Sequence, residues 1–209
     1  MKIMIFGSTG RSGMQIVQQA LDAGHEVTAV ARNPSAINIP SVNLTVVKGN
    51  VLDAESFEAA IRDQDIIISA LGSDSNKPTN IYSKGISNML SGMQKNAIKR
   101  IICISAAAVE TNPKLSLFLR TATKFLQRIL KNPFHDLLAM ENLLKDSQAN
   151  WTVVRPPRLT MKGLKGKYRF AVNEWLPSCT SISRADLAHF ILNHLEDSNT
   201  YKSIIEVSY

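Results

Sequence analysis

Lys2-Ile-Met-Ile-Phe-Gly7-Ser-Thr-Gly10-Arg-Ser-Gly13 passes from a short apolar run into three glycines, one at every third position. Ile3 to Phe6 is long enough for one buried parallel strand. Directly after the glycines a helical pattern begins, with Met14, Val17, Ala20 and Leu21 on one face. Strand, glycine turn and helix in this order are the setting of a dinucleotide site. The glycines have separate tasks: Gly7 lets the chain leave the strand sharply, Gly10 leaves room for a pyrophosphate against the backbone, and Gly13 lets the helix pack close to the sheet. The free N–H groups at the helix start then face the phosphate charge. The spacing is G-x-x-G-x-x-G, not G-x-G-x-x-G, so its weight comes from the strand before it and the helix after it.

Outward from that turn, length and composition set bounds. A chain of 209 residues suits one domain with a sizeable core. No linker, repeat or low-complexity segment divides it, and no apolar run approaches a membrane span. The first apolar run stops at Gly7, too early for a signal-peptide core. Cys103 and Cys179 are isolated and belong to no metal or C-x-x-C spacing. A reducing cytoplasm is therefore the expected location. The formal charge of +7 suits an anionic ligand, or simply solubility. Zinc, helix-turn-helix and aromatic-basic signatures are absent, so no nucleic acid is expected.

His25 to Arg32 reads as a second strand, Leu44 to Lys48 as a third, and Asp65 to Ala70 as a nearly all-apolar fourth. An NAD-preferring fold places an acidic residue at the end of the second strand to hold a ribose hydroxyl. Arg32 stands there instead, followed by Asn33, Pro34 and Ser35. A guanidinium matches a phosphate by two parallel hydrogen bonds, and Arg11 could reach the same group. That points to NADP(H); a solvated strand-end charge is the alternative. Asp53 reads as the N-cap of a helix of about two turns from Ala54. Asn50 and Val51 sit where adenine could lie, and Leu71-Gly72-Ser73 is a loop at the carboxyl end of a central strand, where ligands bind in this architecture.

Thr79 to Ala97 predicts a helix with Ile86, Met89, Leu90 and Met93 inward, and Arg100 to Ile104 a buried strand ending at Ser105. Lys114 to Lys131 predicts an amphipathic helix, with Leu115, Phe118, Leu119, Ala122, Phe125, Leu126 and Ile129 on one side and Arg120, Lys124 and Arg128 on the other. Such an apolar stripe is expected to be packed on the body; a mobile lid bounded by Asn112-Pro113 and Asn132-Pro133 and a membrane-surface helix are the other options. A helix over about 136–147 and a strand from Trp151 to Arg155 follow, the latter stopped by Pro156-Pro157. A polar loop with Gly163 and Gly166 comes next. Ser183-Arg-Ala-Asp186 reads as a capping box opening a helix through Leu195, and Ile204 to Val207 as a last, edge strand. Alternating strands and helices with right-handed crossovers give an α/β fold, a doubly wound parallel sheet of Rossmann type in a single domain over 1–209.

The chain resembles the atypical short-chain dehydrogenases, in the group containing flavin reductases/biliverdin-IXβ reductases and NmrA-like proteins. The matching stretches are Phe6 to Gly13, Val30-Ala-Arg32, Gly49-Asn-Val-Leu52, Leu71-Gly72, Cys103-Ile-Ser105, Trp151 to Pro157 and Ile182 to Leu187. The resemblance implies NADPH as hydride donor and a flat conjugated acceptor: a flavin, a quinone or a linear tetrapyrrole. It implies cofactor contacts at Gly7, Ser8, Thr9, Gly10, Arg11, Ser12 and Gly13, with Arg32 and Ser35 at the 2′-phosphate. It further implies Asn50 and Val51 at adenine, Leu71, Gly72 and Ser73 near the ribose, and Pro156. Asn50 replaces a common aspartate, and Arg158 stands where the mammalian flavin reductase has a histidine. The ordinary Tyr-x-x-x-Lys acid of the wider family is missing, because none of Tyr82, Tyr168, Tyr201 and Tyr209 has Lys four residues later. Hydride transfer to a flavin-like acceptor needs less from the protein, since the cofactor carries the chemistry.

Ser105 and Arg158 are the candidate catalytic residues. Ser105 could bond the nicotinamide or the acceptor, or merely cap a strand end; Arg158 could neutralise an acceptor's phosphate or carboxylate, or be a plain surface arginine. His135 and Asp136 suit capping of a helix start better than acid–base work. No metal-ligand cluster appears in the sequence. The expectation is an NADPH-dependent reductase of a small-molecule acceptor, acting as a monomer or weak dimer, with the acceptor site formed by C-terminal loops and the 114–131 helix. The alternative is a non-enzymatic NADP-binding sensor of NmrA-like type.

Overall fold

The computed structural model describes residues 1–73 and 76–209. Its elements in chain order are β1 (Lys2–Phe6), α1 (Arg11–Asp22), β2 (Glu26–Ala31), β3 (Leu44–Lys48), β4 (Ile66–Ser69), α2 (Ile81–Lys95), β5 (Arg100–Ile104), α3 (Leu117–Ile129) and α4 (Lys131–Lys145). After these come β6 (Asn150–Arg155), β7 (Arg158–Thr160), β8 (Arg169–Val172), β9 (Ser181–Ser183), α5 (Arg184–Asn193) and β10 (Ser203–Ser208). Among the described residues, eight strands form one sheet in the order β3-β2-β1-β4-β5-β6-β10-β8. Every neighbouring pair is parallel except β10–β8. A small separate pair, β7–β9, is also parallel.

The apolar runs of the central strands alternate across the sheet and so feed two cores. Ile3 and Ile5 join Ile66, Ile68, Val17 and Ala20 with Leu187, Phe190 and Ile191, so this face is covered by α1 and α5. Met4 and Phe6 join Ile67, Ile101, Ile86, Met89, Met140 and Leu144, so the other face is covered by α2 and α4. The methionines at 89 and 93 are core, as expected. The Ser183 hydroxyl accepts from the Asp186 N–H at 2.9 Å and so caps α5 as read, but the reciprocal bond of a capping box is replaced, because the Ser183 N–H donates to Tyr209 Oη at 3.1 Å.

Arg100 ties the sheet to its C-terminal flank. Its N–H donors reach Leu195 O, His194 O, Asn150 O, Thr152 Oγ1 and Thr200 Oγ1 at 2.7–3.1 Å. The guanidinium also lies 4.6 Å from the Tyr201 ring centroid. Burial brings its pKa down to about 10, so it keeps its charge at neutral pH.

Four expectations are corrected. The two-turn helix from Ala54 is only a 3-10 turn, Glu55–Phe57, and the Asp53 side chain does not cap it; Asp53 engages the turn through its carbonyl instead, which accepts from the Ser56 hydroxyl at 2.6 Å. β10 is interior, because Arg169–Val172, which reads as loop for want of clean alternation, pairs beside it as the antiparallel edge. The 136–147 helix begins earlier, at Lys131, and Asn132-Pro133 lies inside its first turn instead of breaking the chain. Proline is tolerated there because the first N–H groups of a helix have no intrahelical acceptor. Finally, α3 has no buried residue at all. Its apolar stripe is not packed on the body.

Candidate functional site

The order of the parallel strands reverses at β1, whose neighbours β2 and β4 run out to either side. A crevice at the carboxyl ends of the strands is the geometric outcome. It is there, with a volume of about 750 Å³, and Gly7, Arg32, Asn50, Leu71 and Ser105 contribute to its walls from five different strand ends.

The glycine turn forms the floor. Gly7 has φ +73°, and a Cβ on it would stand 2.3 Å from Ala70 O. A Cβ on Gly13 would stand 2.1 Å from Gly7 O, so α1 sits directly on the turn. Gly10 is the N-cap of α1, with no side-chain cap and no acid in the first turn. The positive end of that helix is thus left to whatever enters the cleft. Thr9, Gly10, Arg11 and Ser12 line it.

Not every expected residue points the same way. Ser8 is fully buried and its hydroxyl donates to Val30 O at 2.8 Å, pinning the turn to the end of β2. Gly13 lies behind the wall. The Ser35 hydroxyl donates to Asn33 Oδ1 at 2.8 Å and is not among the lining residues. Asn50 bends back so that its Oδ1 accepts from the Leu52 N–H at 3.2 Å, while Val51 O accepts from Asn88 Nδ2 at 2.8 Å. The Ser73 N–H donates to Tyr82 Oη at 2.9 Å, which holds the Leu71–Ser73 loop. Pro156 is buried, and its carbonyl accepts from the Ala107 N–H at 2.9 Å. Arg158 is exposed and is not among the residues that line the cleft; alternation along β7 sends Leu159 inward.

Arg184, the first residue of α5, lines the cleft together with Arg11 and is not among the residues expected from sequence. Its guanidinium pKa is lowered, first by burial and then by the Arg11 charge. Two cations held this close are stabilised by an anion between them. The capping box is the available signal: it marks a helix start, and this helix start lies at the ligand side.

Beneath Ser105 runs a buried ionic chain that the sequence does not disclose. The Ser105 hydroxyl donates to Glu141 Oε1 at 2.6 Å, and Glu141, on α4, is fully buried. Arg155, at the end of β6, donates Nε to Glu141 Oε1 at 3.0 Å and Nη2 to Glu141 Oε2 at 2.5 Å. Its Nη1 reaches Glu110 Oε2 at 2.5 Å. Burial acts to lower the Arg155 pKa, but the two carboxylates outweigh it and raise the pKa above its ordinary value. With its proton committed to Glu141, Ser105 offers lone pairs to the cleft. Asp136 caps a helix start, though not its own: its carboxylate accepts from the Tyr82 and Ser83 N–H groups at 2.9 and 3.2 Å, at the beginning of α2. Among the described residues no group of side chains is arranged to hold a metal ion, and no helix is long and apolar enough to cross a membrane.

The chain matches a family model described as NAD(P)H-binding over residues 7–198. It is 28% identical over 176 residues to the photosystem II assembly factor Ycf39 of Synechocystis sp., covering 82% of this chain and 49% of that protein. It is 25% identical over 230 aligned positions to the chloroplastic divinyl chlorophyllide a 8-vinyl-reductase of Arabidopsis thaliana, covering 98% of this chain and 52% of the relative. The chain therefore spans about half the length of these curated relatives. Among solved structures, a short-chain dehydrogenase/reductase of Veillonella parvula in complex with NADP superposes with a TM-score of 0.80 at 17% identity, covering 100% of this chain and 94% of the other. At that identity the likeness speaks for the fold.

Proposed function

The chain belongs to the NAD(P)H-binding family, and from that membership we propose that it is an NADPH-dependent reductase passing hydride to a flat conjugated acceptor: a flavin, a quinone or a linear tetrapyrrole. The observation that carries the proposal is the cleft itself. It combines an uncapped helix start, three arginines (Arg11, Arg32 and Arg184) and the Ser105 oxygen in one crevice of about 750 Å³. A dinucleotide with an extra phosphate fits that donor set, because the cations exceed what a pyrophosphate on a helix terminus requires.

The bound cofactor supplies the hydride. The chain's own residues bind, orient and neutralise. The Gly7–Gly13 turn and α1 receive the pyrophosphate; Arg32, with Arg11 or Arg184, neutralises the 2′-phosphate. Ser105 accepts a hydrogen bond from an amide or ring N–H, its own proton being held by Glu141. Among the described residues no tyrosine lines the cleft. The proton that completes reduction of the acceptor is therefore drawn from water, which suits acceptors whose reduced form is protonated readily in solution.

NADPH oxidation measured spectrophotometrically across flavins, quinones and biliverdins tests this reading. Turnover with one of these classes supports it. Tight NADPH binding with no turnover on any of them would replace it with a non-catalytic NADP-binding regulator, a reading favoured by the relative named as an assembly factor.

A further inference from the structure

Helix α3 is turned inside out. Phe118 and Phe125 are 80% and 63% exposed, and Leu117, Leu126 and Ile129 are exposed with them. Phe118, Ala122, Phe125 and Ile129 repeat at three- and four-residue spacing and so form one apolar face. The half-buried side carries Leu119, Thr123 and Gln127, and it is held by polar contacts: Gln127 Nε2 donates to Ala108 O at 2.9 Å, and the Thr111 hydroxyl reaches Gln127 Oε1 at 3.4 Å. The C-terminal end is tied by Asn76 Nδ2 to Ile129 O and by Asn132 Nδ2 to Asn76 O at 2.8 Å. The chain thus ties one side of this helix to the protein by polar contacts and leaves Phe118, Phe125, Leu126 and Ile129, flanked by Lys124 and Arg128, exposed.

Charge decides what that face meets. From Thr111 to His135 the sequence holds Lys114, Arg120, Lys124, Arg128 and Lys131 and no acidic residue. Arg120, Lys124 and Arg128 form no salt bridge among the described residues, and Lys114 is paired only loosely with Glu174 at 3.9 Å. A second copy docked face to face would set these cations against their own kind. A layer that is apolar inside and anionic at its rim takes both features together. The 13 residues of α3 span roughly 20 Å at about 1.5 Å per residue. That is too short to cross a bilayer, and suits a helix lying in its surface.

We propose that α3 is an in-plane anchor for an anionic lipid surface. Phe118, Phe125, Leu126 and Ile129 enter the boundary between headgroups and acyl chains, and Lys124 and Arg128 meet lipid phosphates. The inference does not depend on the redox reading.

Flotation of the full-length protein with phosphatidylglycerol/phosphatidylcholine vesicles tests it. Binding is expected to the mixed vesicles, to weaken by about tenfold or more on pure phosphatidylcholine, and to fall with added salt. The Phe118→Ser/Phe125→Ser double variant loses binding by about tenfold or more, while NADPH affinity, the check on folding, is unchanged. Lys124→Glu/Arg128→Glu leaves the apolar face intact and lowers binding to the anionic vesicles alone. Absence of vesicle binding in the unmutated protein, or binding that survives both double variants, overturns the proposal. So does a concentration-dependent dimer, seen by light scattering, that Phe118→Ser/Phe125→Ser dissolves, because the face would then belong to a second copy.

Discussion

Three guanidiniums share the cleft, and their positions divide the work. Arg32 stands just past the end of β2 and lines the cleft; on the proposed reading it meets the phosphate by which the two nicotinamide cofactors differ. Arg32→Ala is expected to weaken NADPH binding by about 1.5–3 kcal/mol, the worth of a charge-assisted hydrogen bond, and NADH binding far less, as read by calorimetry. Equal affinity of the unmutated protein for both cofactors would contradict this. Ser105→Ala removes an acceptor without disturbing the Glu141–Arg155 pair, so turnover should drop modestly while NADPH affinity holds. Glu141→Ala is a different experiment. It leaves the buried Arg155 guanidinium without its bidentate carboxylate, and should cost on the order of 3–5 kcal/mol in chemical denaturation. The glycine turn is legible in the sequence because its spacing is periodic and its context local. Glu141, Arg155 and Arg184 are not, because each acquires its meaning from a partner far along the chain. The inward side of β7 is not legible either, because a strand of three residues leaves no alternation long enough to reveal which side chain turns inward.

Among the elements, α5 shows how a local motif is reinforced from outside. Ser183→Ala removes the cap and should cost about 1 kcal/mol. Its partner Asp186 is under opposed influences: burial would raise its pKa, but hydrogen bonds from Tyr209, the Lys165 and Gly166 N–H groups and Ser183 prevail and lower it. A carboxyl group with a lowered folded pKa contributes stability above its unfolded pKa, about 3.9, and loses it as the pH falls through the folded value. Asp186→Asn should therefore flatten the acid limb of the stability curve below about pH 4, measured by thermal unfolding across pH. Most strands and helices are legible from periodicity, and β3 and β5 match their predicted bounds residue for residue. The joint between α3 and α4 is not. Asn132-Pro133 has the composition of a turn, yet proline is well tolerated in a first helical turn, and the break falls at Leu130 instead. The apolar stripe of α3 is plain in the sequence, but its cover is not. Periodicity reports that a face is apolar, not what lies against it.

For the molecule as a whole, the sheet and its two helical layers follow from the run of apolar strands. Arg100 is the tie that a hydrophobic reading passes over. Arg100→Leu would strip three carbonyls and two threonine hydroxyls of their partner at once and is expected to cost on the order of 3 kcal/mol. For a chain of this size that corresponds to a fall in melting temperature of about 6–12 °C. An unchanged melting curve would show that water replaces the guanidinium without loss. The place of β10 between β6 and β8 is the feature that sequence order conceals most, since β8 precedes β10 along the chain yet lies outside it in the sheet. This order matters in time. As the chain leaves the ribosome, Arg169–Val172 emerges with no strand to pair with, and Ser203–Ser208 follows only after roughly 30 more residues. At about 5–20 residues per second, β8 waits roughly 2–6 s as an unclaimed edge. During that interval the nascent chain displays both β8 and the open flank of β6, and each is a template for another molecule's backbone. The arrival of one strand, β10, closes both openings together.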